Sequence, residues 1–596
     1  MDEMKQKLAD QFTTIVQRGL YQDADELLSE LRNDVNACDY LSEDLCITAA
    51  FLYNKLDNRE KELYYLQNGL IINPSSSSLF VSLADYYSRT NIRQELICLY
   101  QARFLAKKAE NKEQEKFIEN IIDALEKNGT RVPATSIIIL SYNTRDYIRQ
   151  CLESVKDTVP LDRVQVIVVD NASNDGSVEY LRSLDWITLV ENDENHGFPV
   201  GCNDGIKAAE SENDIYLLDS NAILYNNSFF WLKMGLYEND EIGSTGSITN
   251  NALNEQRIEL PDLDYEECKK KAENINIPLE LPYGYKIFLL GFSLLLKRKV
   301  FDKIGLFDER FNPGNSDDVD LDLGLRILKE KKLNLLCMNS FVYHYGEKSF
   351  DQLDSSDEKY YDLVEKNRKK LEEKLGFNLK NSYSNVDLAD EINEDRRAEL
   401  HILEVGCGLG LQAAILKTKF PYCVYKGIES DNNVSQYAKA FGEIFDGDIE
   451  SVETLDNNEK YFDYILLGDV LQLTHDPASV LHKLSRYLKE NGRIIVSVPN
   501  VRHWSVVIPL LNDGRFSYTD NGVIKNGTYR FFTGNDIMRL ISENGYSIKH
   551  IKTLAGDEPS DYEKECLRSI ADIFDQPDID DFLVEEYIIS AQKTKL

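Results

Sequence analysis

The chain has 596 residues, about four times the length of a typical domain, so one hydrophobic core cannot organise it. Hydrophobic residues make up 42% of the chain and charged residues 28%, which excludes an intrinsically disordered protein and a small disulfide-stapled protein. The 67 Lys and Arg against 102 Asp and Glu give a formal net charge of −35, which disfavours nucleic acid and anionic lipid as partners because no basic patch stands out.

Cysteine usage and the N-terminus indicate the compartment. The 10 cysteines show no CxxC or Cys/His spacing, so we expect neither a disulfide framework nor a structural zinc site. The first residues, MDEMKQKLADQF, are charged and unlike a signal peptide, and no run approaches about eighteen apolar residues. These features predict a cytoplasmic protein with no transmembrane segment.

The first 130 residues are predicted to be helical throughout. Apolar residues recur there at intervals of three and four, and no strand-like run occurs. A shift of 34 residues aligns similar residues, namely Leu45 with Leu79, Ala50 with Ala84, Tyr53 with Tyr87, and Arg59 with Arg93. This period resembles that of tetratricopeptide repeats. The resemblance implies stacked helical hairpins with a concave groove for an extended peptide; the alternative is a helical support packed on the next domain.

From Thr135 the pattern changes to alternating strands and helices. Apolar, β-branched runs at 136–140 and 164–169 flank a helical segment at 146–155, which predicts a β-α-β unit and a parallel sheet buried on both faces. Ligands of such sheets bind at the carboxyl ends of the strands, where polar residues follow each run here. Among them, Asp170 can accept a hydrogen bond from a uracil imide or a ribose hydroxyl, and Asp219 can hold a divalent ion against a diphosphate.

An ordered set of motifs runs through residues 131–378. It consists of SYN at 141–143, VDNASNDGS at 169–177, NHGFPVGCN at 195–203, DSN at 219–221, GLFDERF at 305–311, DDVDL at 317–321, and His344. Together they resemble a family-2 glycosyltransferase with the α/β GT-A fold. The resemblance implies an inverting hexosyl or N-acetylhexosaminyl transferase that uses a nucleoside-diphosphate sugar, with a UDP-sugar favoured, and Mn²⁺ or Mg²⁺.

The same resemblance assigns roles to matching positions. It places the following residues around the nucleotide sugar: Tyr142, Asn143, Asp170, Asn203 and Asp219. Asp219, Asn221 and His344 would hold the metal ion, and Asp318 would be the catalytic base, with Asp317 as the alternative. Inverting transfer needs one such carboxylate to take the proton of the acceptor hydroxyl. The family usually ends its metal motif in Asp, and the neutral amide of Asn221 binds a hard cation more weakly.

A charged, Asn-rich stretch follows Phe350, and we predict a linker at 379–396. Beyond it, a strand leads into the glycine-rich turn LEVGCGLG at 403–410, and the next strand ends in an acidic residue. Residues 397–596 resemble a class I S-adenosylmethionine (SAM)-dependent methyltransferase with a Rossmann-like α/β fold. The resemblance implies SAM as cofactor, bound by Glu404, Gly406, Gly408, Gly410, Glu429, Asp448 and Asp469. NAD is the alternative cofactor, which the missing pyrophosphate signature disfavours.

One segment departs from this second family. A methyltransferase subgroup reads Asp-Val-Leu-Glu-His where this chain has Asp-Val-Leu-Gln-Leu at 469–473. Where the subgroup has Thr-His-Leu-Arg, this chain has Thr-Tyr-Arg at 528–530, so two candidate bases are missing. Transfer to a hydroxyl needs a base whereas an amine can lose its proton later, so the acceptor type stays open. His503 is the remaining candidate base, and a structural role is its alternative.

These observations predict a three-part enzyme: tetratricopeptide-like helices at 1–130, a glycosyltransferase, and a methyltransferase acting on the same glycan. Fusion of two active sites keeps an intermediate at high local concentration. The acceptor is predicted to be a surface glycan or a protein such as bacterial flagellin. The alternative is a non-catalytic scaffold, in which Asn221, Gln472 and Leu473 mark decayed sites.

Overall fold

The computed structural model describes residues 2–34, 41–252, 254–260, 265–314, 317–346, 358–379, 386–452, 455, 458–519, 522–573 and 579–594. The chain forms two compact units. The first unit contains most residues up to Arg368, and the second contains Lys369 onward together with Tyr285–Ile287 and Leu328–Lys331. Within the described ranges, no helix has both the length and the apolar character needed to cross a bilayer.

The N-terminal part of the first unit is helical wherever the structure describes it. Its helices are α1 (Asp2–Gln17), α2 (Tyr21–Asp34), α3 (Glu43–Lys55), α4 (Arg59–Ile72), α5 (Ser77–Ser88), α6 (Ile92–Lys108) and α7 (Lys112–Lys127). Helices α3 and α5 begin 34 residues apart, at Glu43 and Ser77, and the aligned Leu45 and Leu79 are both buried. The all-helical prediction is confirmed, whereas the tetratricopeptide assignment stays a prediction.

The described strands that follow form one mixed sheet. They are β1 (Thr135–Ser141), β2 (Val164–Asp170), β3 (Thr188–Glu191), β4 (Asp214–Asp219), β5 (Ala222–Leu224), β6 (Ile242–Ile248), β7 (Tyr283–Lys286), β8 (Ser293–Leu296) and β9 (Leu333–His344). Their order is β3-β2-β1-β4-β8-β6-β9-β5, with β7 paired to β9. The accompanying helices are α8 (Arg145–Thr158), α9 (Ser177–Arg182), α10 (Gly197–Lys207), α11 (Ser228–Leu236), α12 (Tyr265–Ile275), α13 (Arg298–Ile304), α14 (Asp318–Lys329) and α15 (Glu358–Leu375).

The predicted parallel pairing holds for β1 to β4, whereas the strands beyond them pair in both directions, with β6 parallel to β9. Strands β2, β1 and β4 pair in parallel, and β3 pairs with β2 in the same way. Strand β8 runs antiparallel to both β4 and β6, and β5 runs antiparallel to β9. Strand β5 begins only two residues after β4 and pairs with β9 instead, because a parallel neighbour of β4 would need a crossover of about a dozen residues.

Helices α5 and α6 pack on α11 of the sheet domain within the first unit. Gln94 is buried, and its Nε2 donates to the carbonyl oxygen of Met234 at 3.0 Å. The ring of Phe80 meets that of Phe230 edge to face, with the ring centroids 4.9 Å apart. These buried contacts favour the second interpretation of the helices, a support packed on the next domain.

The second unit contains a seven-stranded sheet in its described part. Its strands are β10 (His401–Val405), β11 (Val424–Glu429), β12 (Glu443–Asp446), β13 (Phe462–Gly468), β14 (Leu488–Pro499), β15 (Tyr546–Ala555) and β16 (Val584–Lys593), in the order β12-β11-β10-β13-β14-β16-β15. The helices are α16 (Leu411–Lys419), α17 (Asn432–Ala438), α18 (Pro477–Ser485), α19 (Trp504–Asp513), α20 (Gly534–Glu543), α21 (Asp561–Ile573) and α22 (Asp580–Leu583). Only β16 breaks the parallel pattern of β10 to β14, because it runs antiparallel to β14 and, beyond it, to β15.

Part of the predicted linker at 379–396 is folded. Residues Val386–Glu391 form a short 3₁₀ helix, in which Leu388 and Ala389 are buried. Lys419 Nζ donates to the carbonyl oxygen of Ala389 at 2.8 Å. This part of the segment therefore packs within the second unit.

Candidate active sites

The first candidate site lies at the carboxyl ends of β1, β2 and β4. Strand register places Ser141 opposite Asp170 and Leu140 opposite Asp219. The parallel β-α-β arrangement therefore brings three sequence-distant loops to one sheet edge. Tyr142 and Asn143, predicted to contact the nucleotide sugar, leave β1 at this edge.

Asp170 offers a buried acceptor at this edge. The residue is 1% exposed, and its Oδ1 accepts a hydrogen bond from the backbone N–H of Ser173 at 2.8 Å. Its Oδ2 is buried and has no hydrogen-bond partner among the described residues. Such an atom is costly to leave unpaired, so the carboxylate is suited to an N–H or O–H of a ligand.

Asn143 shapes the loop beside Asp170. Its φ of 52° lies in the left-handed region that Asn tolerates better than most residues. Its backbone N–H donates to Ser173 Oγ at 2.9 Å, and its Oδ1 accepts from the backbone N–H of Asn174 at 2.8 Å. These bonds fix the two loops against each other.

Asp219, Asn221 and His344 come together at the end of β4. His344 Nε2 lies 3.4 Å from Asp219 Oδ2, while its Nδ1 lies 2.9 Å from the carbonyl oxygen of Asn251. Antiparallel pairing of β5 with β9 sets Ala222 opposite His344, which delivers the histidine to this place. The predicted metal-site residues are therefore neighbours.

The donor set suits a cation that also takes ligands from elsewhere. Asn221 donates through Nδ2 to the carbonyl oxygen of Gly346, and its Oδ1 is buried without a hydrogen-bond partner among the described residues. No group of three His, Cys, Asp or Glu side chains in those residues is arranged to hold a metal ion. One carboxylate, one imidazole and one amide oxygen fit an ion such as Mn²⁺ whose remaining ligands are phosphate oxygens or water.

The two residues of the predicted acidic pair, Asp317 and Asp318, differ in burial and surroundings. Helix α14 begins at Asp318, whose carboxylate is fully buried and accepts a hydrogen bond from Arg368 Nε at 2.6 Å. Asp317 is half-buried and directly precedes α14, and its charge raises the pKa of Asp320, which places it near that residue. Sequence reasoning did not predict Arg368 as the partner of Asp318.

Asp320 is a further acidic residue of the site that the prediction missed. Its Oδ2 accepts from the backbone N–H of Gly291 at 3.1 Å, and its Oδ1 is buried with no hydrogen-bond partner in the described residues. Burial raises the pKa of Asp320 to about 8; the bond from Gly291 opposes the shift, and the charges of Asp317 and Asp219 add to it. The three-residue spacing from Asp317 is the signal that could have identified it.

Asn203 holds a loop rather than pointing an open group at a ligand. It is fully buried on α10. Its Oδ1 accepts from the backbone N–H of Phe307 at 2.9 Å, and its Nδ2 donates to the carbonyl oxygen of Phe307 at 3.0 Å. Its predicted contact with the nucleotide sugar stays a prediction, and the structure shows it positioning the GLFDERF loop.

The second candidate site surrounds the glycine-rich turn after β10. Gly406, Gly408 and Gly410 have φ angles of 73°, 54° and 90°. These left-handed conformations favour glycine, and a Cβ at Gly410 would lie 3.0 Å from Ala438 Cα. Glu429 at the end of β11 braces the turn, because its Oε2 accepts from the backbone N–H of Gly408 at 2.9 Å.

The other predicted cofactor residues differ in exposure. Glu404 is buried in β10 and accepts a hydrogen bond from the Tyr425 hydroxyl. Asp448 is exposed, and its Oδ1 accepts from the backbone N–H of Glu450 at 2.7 Å. Asp469, directly after β13, has a φ of 56° and pairs through Oδ2 with Lys525 Nζ at 3.1 Å. Lys525 was not predicted, since nothing in the sequence connects it with the end of β13.

Two sequence families match this chain. The family described as "Glycosyl transferase family 2" matches residues 136–304, and that described as "Methyltransferase domain" matches residues 368–551. The chain thus carries a family-2 glycosyltransferase domain fused to a methyltransferase domain, preceded by a helical region.

Curated relatives resemble one short segment. The chain is 37% identical over 83 residues to the putative glycosyltransferase EpsH of Bacillus subtilis, a match covering 13% of this chain and 24% of that protein. It is 36% identical over 83 residues to the poly(ribitol-phosphate) beta-glucosyltransferase of Bacillus spizizenii, covering 13% of each. The matched segment thus spans a quarter or less of these two relatives.

Solved structures resemble each half only distantly. A mannosyltransferase of Pyrobaculum calidifontis in complex with GDP-Man and Mn²⁺ is 18% identical, with 37% of this chain and 59% of that chain covered and a TM-score of 0.28. A SAM-dependent methyltransferase of Thermotoga maritima is 19% identical, with 33% and 84% covered and a TM-score of 0.24. TM-scores this low carry no argument about this chain.

Proposed function

We propose that the glycosyltransferase domain transfers a sugar from a UDP-sugar, with inversion, to a glycan or a protein, and that the methyltransferase domain uses SAM. The proposed transfer from a UDP-sugar rests on one observation: a single sheet edge brings together Asp170, Asp219, Asn221 and His344. A carboxylate acceptor and a cation site side by side suit the two ends of a nucleoside diphosphate.

Asp170 recognises the base in this proposal. Its buried Oδ2 accepts the imide N–H of uracil, a bond that satisfies both buried groups. Tyr142, on the adjoining loop, supplies an aromatic ring for the base to stack on.

Asp219, His344 and Asn221 hold the divalent ion. When bound, the ion offsets the negative charge that develops on the leaving diphosphate. The amide of Asn221 contributes its buried Oδ1 where a carboxylate is usual in the family, which gives a site of lower charge and weaker affinity.

The geometry favours Asp317 over Asp318 as the base. A general base must reach the proton that it removes. The Asp318 carboxylate is buried against Arg368, whereas Asp317 is half-buried and lies near Asp320, whose pKa its charge raises together with that of Asp219. Asp318 then anchors the start of α14 and orients Asp317.

In the second domain, Gly406, Gly408 and Gly410 let the backbone approach SAM, and Glu429 and Asp469 flank that turn. Glu429 uses its carboxylate to hold the Gly408 N–H, which presets the turn, and keeps lone pairs for a ribose diol. Asp448, being exposed, can meet the adenine end of the cofactor.

Calorimetric titration of the full chain tests both proposed activities, the use of a UDP-sugar and the use of SAM. We expect UDP to bind only with Mn²⁺ present, and SAM to bind without it. Asp170→Asn replaces an acceptor oxygen with a donor in one orientation and should weaken UDP binding about tenfold or more, which is the scale of a lost charged hydrogen bond. Failure of the wild-type chain to bind either ligand would favour the scaffold alternative instead.

A further inference from the structure

Three hydrogen-bond acceptors are left open at the carboxyl edge of the second sheet. They are Asp469 Oδ1, Gln472 Oε1 and His503 Nε2, all buried and all without a hydrogen-bond partner among the described residues. Gln472 and His503 are each only 3% exposed. Buried acceptors in this state imply a ligand that brings donors to them.

These acceptors belong to loops that leave neighbouring strands. Strands β13 and β14 run parallel with Gly468 opposite Ser497, and the backbone N–H of Asp469 donates to Ser497 Oγ at 3.1 Å. Asp469 directly follows β13, and His503 lies four residues beyond the end of β14. Both strands therefore deliver their acceptors to the edge that also carries the glycine-rich turn.

An exposed aromatic cluster, which consists of Phe516, Tyr518 and Phe531, lies beside these loops. Its ring centroids are 5.4 to 6.3 Å apart, and the side chains are 38% to 48% exposed. Exposed aromatic side chains gathered in this way mark a binding surface more often than a solvated one.

Backbone hydrogen bonds tie the cluster to the acceptors. On one side of Phe531, the N–H of Arg530 donates to the carbonyl oxygen of Gln472 at 3.0 Å. On the other side, the N–H of Val501 donates to the carbonyl oxygen of Phe532 at 3.0 Å. Phe531 thus lies between the loop of Gln472 and the loop that leads to His503.

The open hydrogen-bond acceptors and the aromatic cluster together indicate the chemical class of the methyl acceptor. A pyranose has C–H faces that pack on aromatic rings and a rim of hydroxyls that donate hydrogen bonds, so it satisfies both features at once. An aliphatic ammonium group has three N–H donors but no ring face to pack on the aromatic cluster, and an aromatic amine has a ring face but at most two N–H donors. The fused glycosyltransferase domain provides a sugar-bearing product within the same chain.

We propose that the methyl acceptor is a sugar hydroxyl, stacked on the aromatic cluster, and that His503 Nε2 accepts the hydroxyl proton. This inference rests on the proposed SAM-dependent function. The hydroxyl oxygen forms a bond to the methyl carbon, the carbon–sulfur bond of SAM breaks, and its electron pair stays on sulfur as S-adenosylhomocysteine leaves. The proton ends on His503.

The surroundings of His503 agree with this role. Its Nδ1 lies 2.8 Å from Ser505 Oγ, so a ring that carries its proton on Nδ1 presents Nε2 as an acceptor. Burial lowers the pKa of His503, an effect that the charge of Asp557 opposes, and the neutral ring is the form able to take a proton.

Saturation-transfer NMR with methyl glycosides of glucose, galactose, mannose and N-acetylglucosamine tests the acceptor class. The full chain is first mixed with an excess of S-adenosylhomocysteine. We expect saturation transfer from the protein to ring protons of at least one glycoside. Phe531→Ala should weaken that binding at least tenfold. Tyr422→Ala is the matched control: Tyr422 is 53% exposed but precedes β11 at the opposite edge, and its loss should change nothing. No transfer to any glycoside would overturn the sugar assignment.

Methyl transfer from labelled SAM to the glycoside that binds tests His503. His503→Gln should reduce the rate at least about 10²-fold, the usual loss on removing a general base. The affinity of the His503→Gln variant for SAM and for the glycoside should stay within threefold of wild type. Retained affinity also shows that the variant folds. Ser505→Ala should lower the rate less, because the ring remains. A His503→Gln rate within threefold of wild type would overturn the base assignment. Absence of SAM binding to the wild type would instead refute the proposed function itself.

Discussion

Asp317 and Asp318 are adjacent in sequence and lie in different surroundings. Asp318 is the first residue of α14 and accepts a hydrogen bond from Arg368, whereas Asp317 precedes the helix and its charge raises the pKa of Asp320. Only Asp318 is fully buried in its ion pair with Arg368, which is 35% exposed, so loss of the arginine would leave a buried carboxylate without its charge partner.

We therefore predict opposite outcomes for two isosteric variants. Asp317→Asn should lower sugar transfer at least about 10²-fold with UDP affinity and melting temperature preserved, since an amide cannot take the acceptor proton. Asp318→Asn should lower the melting temperature, because Arg368 loses its charge partner. Turnover, calorimetry with UDP and thermal melting on both variants make the comparison.

The alternative assignment gives a distinct result. If Asp318 is the base, Asp318→Asn loses turnover while it melts like the wild type, and Asp317→Asn stays active. That pair of outcomes would reverse the roles proposed for the two residues.

The raised pKa of Asp320 predicts that the stability of the metal-free protein depends on pH. Its folded pKa of about 8 lies above the ordinary aspartate value of 3.8, so the folded state binds the proton more tightly. The resulting stabilisation is full below about pH 4 and is lost as the pH rises through 8. In urea titrations at pH 5, 7 and 9, the stability of wild type relative to Asp320→Asn should fall from pH 5 to pH 9.

The exposed Asp185 serves as the control for this measurement. Asp185→Asn should give a difference from wild type that is the same at all three pH values. Parallel profiles for Asp320→Asn and wild type would contradict a protonated Asp320 in the folded protein.

Among the elements, the turn between β10 and α16 is conformationally constrained at three positions. Three glycines with left-handed φ angles follow one another at every second residue, and the middle one is bonded to Glu429. Such a turn brings backbone N–H groups to the start of a helix, where they can approach a ligand without an intervening side chain.

Gly408→Val should therefore abolish SAM binding. A β-branched residue is strained at a φ of 54°, and its side chain would occupy the space of the ligand. Gly545→Val is the matched control: Gly545 has a φ of 87° in the turn before β15, where a Cβ would meet only Thr594 Oγ1 at 3.8 Å. Calorimetry with SAM should show binding for the control alone. Equal affinity of both variants would remove the turn from the cofactor site.

At the scale of the whole molecule, the helical region and the first sheet fold as one unit. Besides the contacts of Gln94 and Phe80, Gln101 Nε2 donates to Asn227 Oδ1 at 3.2 Å in a buried position. Buried polar groups of this kind are satisfied only while both elements are present. A chain that starts at Arg131 would expose the α11 side of this interface.

Phe80→Ala tests that coupling. Removing a fully buried ring that packs on Phe230 should lower the free energy of unfolding of the first unit by about 3–5 kcal/mol. Phe117→Ala removes a ring that is 56% exposed and should change the free energy of unfolding by about 0.5 kcal/mol or less. Urea unfolding followed through tryptophan fluorescence measures both. Similar, small effects of the two variants would mean that the helices are independent of the sheet.

The sequence alone determined the order of the parts and which residues are candidates for the two sites. Helical periodicity, β-branched runs and motif order are local properties, so residues such as Asp170, Asp219 and Gly408 were predicted from their neighbours along the chain. Because parallel strands end at one edge, the meeting of Asp170 with Asp219 also followed from the pattern.

Only the tertiary structure decided which side chains meet across long separations. The partner of Asp318 comes from a helix 50 residues later, Lys525 reaches Asp469 from 56 residues away, and Gln94 binds α11 from 140 residues away. No local pattern encodes these pairings, because they depend on how whole elements pack. The antiparallel pairings of β8 and β16 depend in the same way on the paths of the preceding loops. They make both sheets mixed, where the sequence had predicted a parallel sheet for the first.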